Sequence, residues 1–390
     1  MGPVSATPSD SDAEPDMAST PTTGSSATAV TAGANSAEAR TASAVLTETR
    51  QRVEPELRAV VAALPESIRE ICDYHFGWID PPTPSRTIAG GNPVGSSSTG
   101  HGVGQGKAIR PALVLACAQA VGGEATVALP AAVAVELIHN FSLLHDDVMD
   151  RDTTRRGRPT AWTMFGSGPA ILAGDALLAR AFHVLATSEH SSAARAARWL
   201  SSAVVELIAG QHADISFEGR DDVELAQCED MARGKTAALL GCCCALGALF
   251  AGATGERIEA LRRFGVALGL AFQHVDDLLG IWGDPRLTGK PAYSDLRNTK
   301  KSLPVVAALS TDTAAAAQLR IRYQPNQITC DTDFTHIAEL IDQAGGRTYS
   351  QTQAERLRDR ALEHLQRAQP SAEAAGTLCA LAALLTHRDR

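Results

Sequence analysis

The stretch "ALPAAVAVELIHNFSLLHDDVMD", residues 128 to 150, decides the fold class. A run this long and this rich in Ala, Leu and Val, without period-two alternation, is too long for a strand and predicts a buried helix. It ends in Asp146, Asp147 and Asp150. On a helix Asp146 and Asp150 stand one turn apart on one face, and Asp147 flanks them. Three ionised carboxylates repel one another, and at a helix C-terminus they have the wrong sign for the macrodipole. A solvated helix end is the bland reading. A divalent cation resolves both objections, and an all-oxygen donor set that leaves room for water and phosphate suits Mg²⁺.

The same texture recurs outward from that helix. "RPALVLACAQAVGG" (110–123), "ILAGDALLARAFHVLA" (171–186), "TAALLGCCCALGALFAGA" (236–253) and "ERIEALRRFGVALGLAFQHVDDLLGIWG" (256–283) all read as long apolar helices. The expected fold is all-α. Composition agrees: apolar residues are 44% and aromatics only 4% of 390 residues, a balance that favours packed helices over a β-sandwich. The net charge of −9 argues against a nucleic-acid partner, which needs a basic footprint. No uninterrupted apolar run of 18 residues is present, so no membrane span is expected. Cys242, Cys243 and Cys244 are consecutive in an apolar run and no CxxC pair exists, so the cysteines read as small core residues of a reducing compartment, the cytoplasm.

Two segments lack that texture. Residues 1–42 hold mainly Ser, Thr, Ala, Pro, Gly and acid, with no Lys or Arg before Arg40, and are expected to be a disordered extension. The main domain is expected over 43–390, its helical pattern starting near Ala44. Residues 81–106 are dominated by Pro, Gly and Ser and read as a long loop or insertion. The Gly-rich "TGHGVGQGKA" is not a P-loop: His101 stands at the first required glycine and Ala108 where Ser or Thr is needed.

A second acidic group closes another apolar helix. "FQHVDDLLGIWGD", residues 272–284, carries Gln273, Asp276, Asp277 and Asp284. Two such clusters facing one cavity would hold metals that neutralise a diphosphate. Cations for phosphate are also at hand: Lys107 and Arg110 in "GKAIRP", Arg155 and Arg156 after the first cluster, Lys235 in "GKTAAL", and Lys290, Lys300 and Lys301 in "TGKPAYSDLRNTKKSLP". Taken singly, each is more often a surface residue.

Together, GKxxRP, ELIHxxSLxHDDxxD, DxxxxRRGxPT, GDxLLxxAF, GKTAxL, FQxxDD and GKxxxSDLxxxKxSLP resemble, in order, the motifs of the trans-isoprenyl diphosphate synthases, the polyprenyl synthetases. The match spans roughly residues 45 to 390. The resemblance implies an isoprenoid synthase fold, antiparallel helices around a deep cavity, in a homodimer. It implies 1′-4 condensation of isopentenyl diphosphate with an allylic diphosphate, with three Mg²⁺ per site. On this resemblance Asp146, Asp150 and Asp276 would hold metal, with Asp147 and Asp277 beside them. Arg155, Lys235 and Lys300 would take the allylic diphosphate. Lys107, Arg110, His139 and Arg156 would take isopentenyl diphosphate, and Thr236 and Gln273 would line the place where the cation forms.

Phe141 and Ser142, five and four residues before the first aspartate, would help to set product length as in short-chain enzymes, geranylgeranyl or farnesyl. The bland reading of Phe141 is a core aromatic. The chain departs from the common pattern at Gly280, where a third aspartate is usual, and Asp284 offers a substitute. Tails like residues 1–42 occur on family members packaged as cargo in bacterial encapsulin shells, so a protein nanocompartment joins the expected locations; an inert solubilising tail is the alternative. A class I terpene cyclase would carry an Asn/Ser/Glu metal triad on the later helix, which "HVDDLLGIWGD" lacks. A non-catalytic diphosphate-binding subunit is the other rival, kept in view by Gly280.

Overall fold

The computed structural model describes residues 26–80, 106–285, 292–323 and 331–386. The chain divides into two units, Met1–Ala37 and Glu38–Arg390. In the first, the described residues are helical from Ser26. Helix α1 is Ser26–Ala62, so helix begins inside the stretch expected to be disordered and well before Ala44. Alanine, the best helix former, recurs through this stretch and explains the difference. Residues 1–25 and the expected loop over 81–105 lie outside the described residues.

The second unit is helical apart from one hairpin among the described residues. The remaining helices are α2 (Glu66–His75), α3 (Ile109–Ala120), α4 (Leu129–Met149), α5 (Ala161–Phe165), α6 (Ser167–Ala186), α7 (Ala193–Phe217), α8 (Leu225–Ala232), α9 (Ala238–Phe250) and α10 (Gly255–Trp282). They are followed by α11 (Ser294–Arg297), α12 (Leu303–Leu309), α13 (Ala314–Arg322), α14 (Asp331–Gln343), α15 (Gly346–Arg367) and α16 (Ala372–Thr386). Every residue of α9 is buried, so this helix is the core post, with α3, α4, α7 and α10 packed around it. The cysteines behave as expected: Cys242, Cys243 and Cys244 are buried and unbridged. A satellite core of Ile281, Leu296, Val305, Tyr323 and Phe334 fixes α11 and α12 against the end of α10.

No membrane span was expected for want of an uninterrupted apolar run, but by mean hydropathy four helices among the described residues qualify as candidates. Ala125–Met149, Ser167–Ala186, Leu225–Phe250 and Gly255–Trp282 are long and apolar enough by length and composition. Isolated polar residues break each run, yet its mean hydropathy stays at 1.2 or above. Three of the four bury most of their apolar stretch inside the protein; Ser167–Ala186 buries only 33% and exposes Ile171 and Leu172.

Candidate active site

Helix α4 delivers the first aspartate cluster. It starts with Pro130 in its first turn, where the missing N–H costs nothing, and stops at Asp150. Arg151 takes the left-handed conformation (φ 55°), and Asp152 N–H then returns to Asp147 O at 3.0 Å. Next comes a feature the periodicity does not show. Strands β1 (Thr154–Arg155) and β2 (Arg158–Pro159) pair antiparallel around a two-residue turn, Arg156–Gly157, with φ of 54° and 74°. Both central residues have positive φ, as a type I′ turn requires; Gly157 does this freely and Arg156 does not. Tyr74 on α2 holds the hairpin through its hydroxyl, 2.8 Å from Pro159 O.

That turn sends adjacent arginines apart. Arg155 Nε donates to Asp147 Oδ1 at 2.6 Å. Arg156 lays its guanidinium against Gly106, the residue before Lys107. Its charge also acts on His139 and on the buried Glu136. Arg110 donates to His139 Nε2 at 3.1 Å, which makes that nitrogen an acceptor and the ring neutral. Burial first, then Arg110 and Arg156, hold the His139 pKa well below its usual value. Arg110, His139 and Arg156 therefore form one cationic group, with Lys107 exposed beside it.

A second cationic group lies at the end of α4. Asp214 on α7 accepts from Lys235 Nζ at 2.6 Å and from Lys300 Nζ at 3.1 Å. Lys300 also bonds Asp150 Oδ1 at 3.1 Å and lies 3.3 Å from Glu218 Oε1. Burial works against the Lys300 ammonium, but Asp214 and Asp150 outweigh it and raise its pKa. Lys235 sits in a π turn, Arg233–Ala237, that joins α8 to α9. Its backbone approaches α7 so closely that a Cβ on Gly234 would stand 2.7 Å from Glu206 O. Glycine on both sides, Gly210 and Gly234, permits the approach that brings Lys235 to Asp214.

Helix α10 delivers the second cluster. Thr236 Oγ1 donates to Gln273 Oε1 at 2.5 Å, and Gln273 Nε2 donates to Asp277 Oδ1 at 2.7 Å. Asp277 Oδ2 accepts from Leu303 N at 2.8 Å, so Asp277 anchors the start of α12. Burial first, then the charge of Asp295, pushes its pKa up to about 8. Residues 300 to 303 thus join the clusters: Lys300 to Asp150, the Leu303 amide to Asp277.

Most of the expected residues are brought together in the two cationic groups and the two aspartate clusters. Asp147 and Asp277 are buried and act on their neighbours, Arg155 and Gln273. Lys301 is 6% exposed with its ammonium over the Tyr323 ring, and Lys290 lies outside the described residues. Phe141 is buried and meets His145 edge-on at 4.8 Å; Ser142 donates to His139 O. Asp214 and Gln211 were not anticipated. Gln211 is 5% exposed with both side-chain amide atoms buried and unpartnered, and the signal is "GQHAD", whose polar residues interrupt an otherwise apolar helix face.

Among the described residues no three metal-ligating side chains converge on one point. Mg²⁺ needs no such closed cage: it keeps waters and binds one or two carboxylates together with substrate phosphate. Burial, opposed by Lys235 and reinforced by Asp150 and Asp214, raises the Asp146 pKa to about 6, and Asp147 Oδ2 is buried without a partner. The acids are desolvated and under-neutralised, which is a fit to a bound cation.

Long helices around a buried post, with two aspartate clusters and two separate cationic groups, define an isoprenoid synthase. The chain belongs to the polyprenyl synthetase family, whose model matches residues 96–341. It is 43% identical over 347 residues to a geranylgeranyl diphosphate synthase of Mycobacterium tuberculosis, covering 89% of this chain and 94% of the relative. It is 45% identical over 315 residues to a (2E,6E)-farnesyl diphosphate synthase of Mycobacterium bovis, covering 80% and 84%. The polyprenyl synthetase structure from Streptomyces coelicolor superposes with a TM-score of 0.78 at 43% identity, covering 88% and 98%. The protein is a prenyltransferase of the short-chain prenyl diphosphate synthase type.

Proposed function

We propose that the enzyme joins isopentenyl diphosphate to an allylic diphosphate, 1′-4 and trans, to give a short-chain polyprenyl diphosphate. Geranylgeranyl diphosphate is the first reading of the product and farnesyl diphosphate the second; relatives of comparable identity carry each name. One observation carries the two-substrate reading: Arg155 and Arg156, neighbours in one tight turn, serve different groups, Asp147 at the first cluster and the Arg110–His139 set.

Lys235, Lys300 and Arg155 bind the allylic diphosphate and share the charge that develops as its C–O bond breaks. Lys107, Arg110, His139 and Arg156 hold isopentenyl diphosphate so that its double bond faces the allylic carbon, which makes the attack effectively unimolecular. The oxygens of Thr236 and Gln273 face the developing positive charge. The departing diphosphate takes the proton lost in the last step, and apolar helix walls exclude the water that would quench the cation. Asp146, Asp150 and Asp276 would hold Mg²⁺, three ions per site, which supplies charge neutralisation to the leaving diphosphate.

A homodimer accompanies this reading. Ile171 and Leu172 on α6, with Val205 and Ile208 on α7, are exposed apolar residues that a second copy would cover. The location proposed is the cytoplasm, within an encapsulin shell if the N-terminal extension serves as an address; removing residues 1–42 should then abolish co-purification with the shell.

The deciding experiment incubates the protein with isopentenyl diphosphate, Mg²⁺ and a C5, C10 or C15 allylic diphosphate, followed by mass spectrometry. A C20 or C15 product supports the proposal; no product with any partner overturns it.

A further inference from the structure

Helix α1 carries a charge where its pattern calls for an apolar side chain. Ala42, Leu46, Val53, Leu57 and Val61 are buried and recur at helical spacing. Arg50 lies on that stripe, one turn after Leu46 and three residues before Val53. It is half-buried, and its Nε is buried without a hydrogen-bond partner among the described residues. A charge on a core-facing stripe costs stability unless something there uses it. Arg50 also stands outside the residues that the family model matches, 96–341.

Its use is on the page opposite α1. Arg50 Nη2 donates to Gly106 O at 3.3 Å. The Arg156 guanidinium fills the place toward which a side chain at Gly106 would point, with Nη2 3.0 Å from the Cβ position. Two guanidinium groups, one from α1 and one from the hairpin turn, thus meet at the residue before Lys107. Both act with Arg110 on the buried Glu136. Glu136 Oε1 accepts from Asn140 Nδ2 at 3.2 Å, and its Oε2 is buried without a hydrogen bond among the described residues. Asp147 also acts on Arg156, but it already accepts from Arg155. Three arginines around one buried carboxylate leave an excess of positive charge, and a diphosphate is the anion whose oxygens match guanidinium forks.

We propose that Arg50 is a further positioning residue for isopentenyl diphosphate: through the Gly106 carbonyl it fixes the backbone that carries Lys107, and it takes up part of the Glu136 charge. The second effect leaves more of the Arg110 and Arg156 charge for the diphosphate. This rests on the synthase reading above. It predicts a role confined to one substrate, because Arg155, Lys235 and Lys300, the allylic group, make their hydrogen bonds to Asp147, Asp150 and Asp214 instead.

The test is calorimetric binding of isopentenyl diphosphate to the full chain without allylic substrate, beside steady-state kinetics with each substrate varied and the melting temperature. Arg50→Met should weaken isopentenyl diphosphate binding and raise its KM about five- to tenfold, as for loss of one charge-assisted hydrogen bond. The KM for the allylic diphosphate should stay within about twofold of wild type. The melting temperature should not fall, because methionine suits the apolar stripe. Arg50→Gln, also uncharged, should repeat the selective defect and decides the matter if the methionine variant folds poorly. Arg50→Lys keeps a charge and a donor and should recover most of the affinity. Unchanged isopentenyl diphosphate affinity in the uncharged variants, an equal loss toward both substrates, or no recovery with lysine overturns the assignment. If the wild type turns over substrate, that failure is of this assignment alone; a wild type without turnover overturns the synthase reading with it.

Discussion

Lys300 stands equidistant from Asp150 and Asp214, 3.1 Å from an oxygen of each, and so ties α4 to α7 through one ammonium group. Asp214 is 8% exposed and also neutralises Lys235. Asp214→Asn would leave Lys235, partly buried, with a weaker partner, while Lys300 keeps Asp150 and Glu218. We expect a loss of about 1.5–3 kcal/mol of stability, as for loss of a hydrogen bond to a charged group. Inorganic diphosphate should recover more of the melting temperature in this variant than in the wild type, because it supplies the missing charge. Equal diphosphate effects on both proteins in a thermal-shift series would contradict this role.

The hairpin predicts separable kinetic defects. Arg156→Ala should raise KM for isopentenyl diphosphate, and Arg155→Ala should raise KM for the allylic substrate, each by about tenfold or more, as for loss of one charge-assisted hydrogen bond. Steady-state kinetics with each substrate varied in turn checks the assignment.

Asp277 gives the metal-free protein a pH dependence. Its folded pKa, about 8, lies above its unfolded value, so the folded state holds a proton that the unfolded state has released. The associated stability is therefore lost as pH rises through 8. His75, His139 and His274 are held neutral by burial, whereas unfolded histidines are still about half protonated near pH 6.5, so they oppose this trend there and fade above about pH 7.5. Between about pH 7.5 and 8.5 stability should fall on the order of 0.7 kcal/mol, and Asp277→Asn should remove that fall. Urea titrations at several pH values provide the measurement.

Phe141 lies five residues before the first aspartate, packed edge-on against His145. Phe141→Ala should lengthen the product by at least one isoprene unit. An unchanged product distribution by mass spectrometry removes Phe141 as a length determinant.

The helices were legible because their apolar residues recur at helical spacing over long runs, and the metal-side aspartates because like charge at a helix end needs a reason. Asp214 was not legible. A single acid in an amphipathic helix looks solvated until Lys235 and Lys300 arrive, 21 and 86 residues later. The hairpin escaped because it is two residues per strand and its turn begins with arginine, not with the Asn or Gly that marks such turns. The packing of Asp295 on Gly280 escaped because it is a contact between α10 and α11, set by how they pack and absent from the local pattern of either. The helix start at Ser26 was misplaced because alanine sits equally well in a disordered composition and in a helix.

The strained turn has an evolutionary consequence. Arg156 holds a left-handed conformation that costs a non-glycine residue about 1–3 kcal/mol. Selection for heat resistance alone would replace it with glycine, whereas selection for turnover keeps the arginine. This position is therefore one where a search for thermostable variants would enrich a sequence that folds better and catalyses worse.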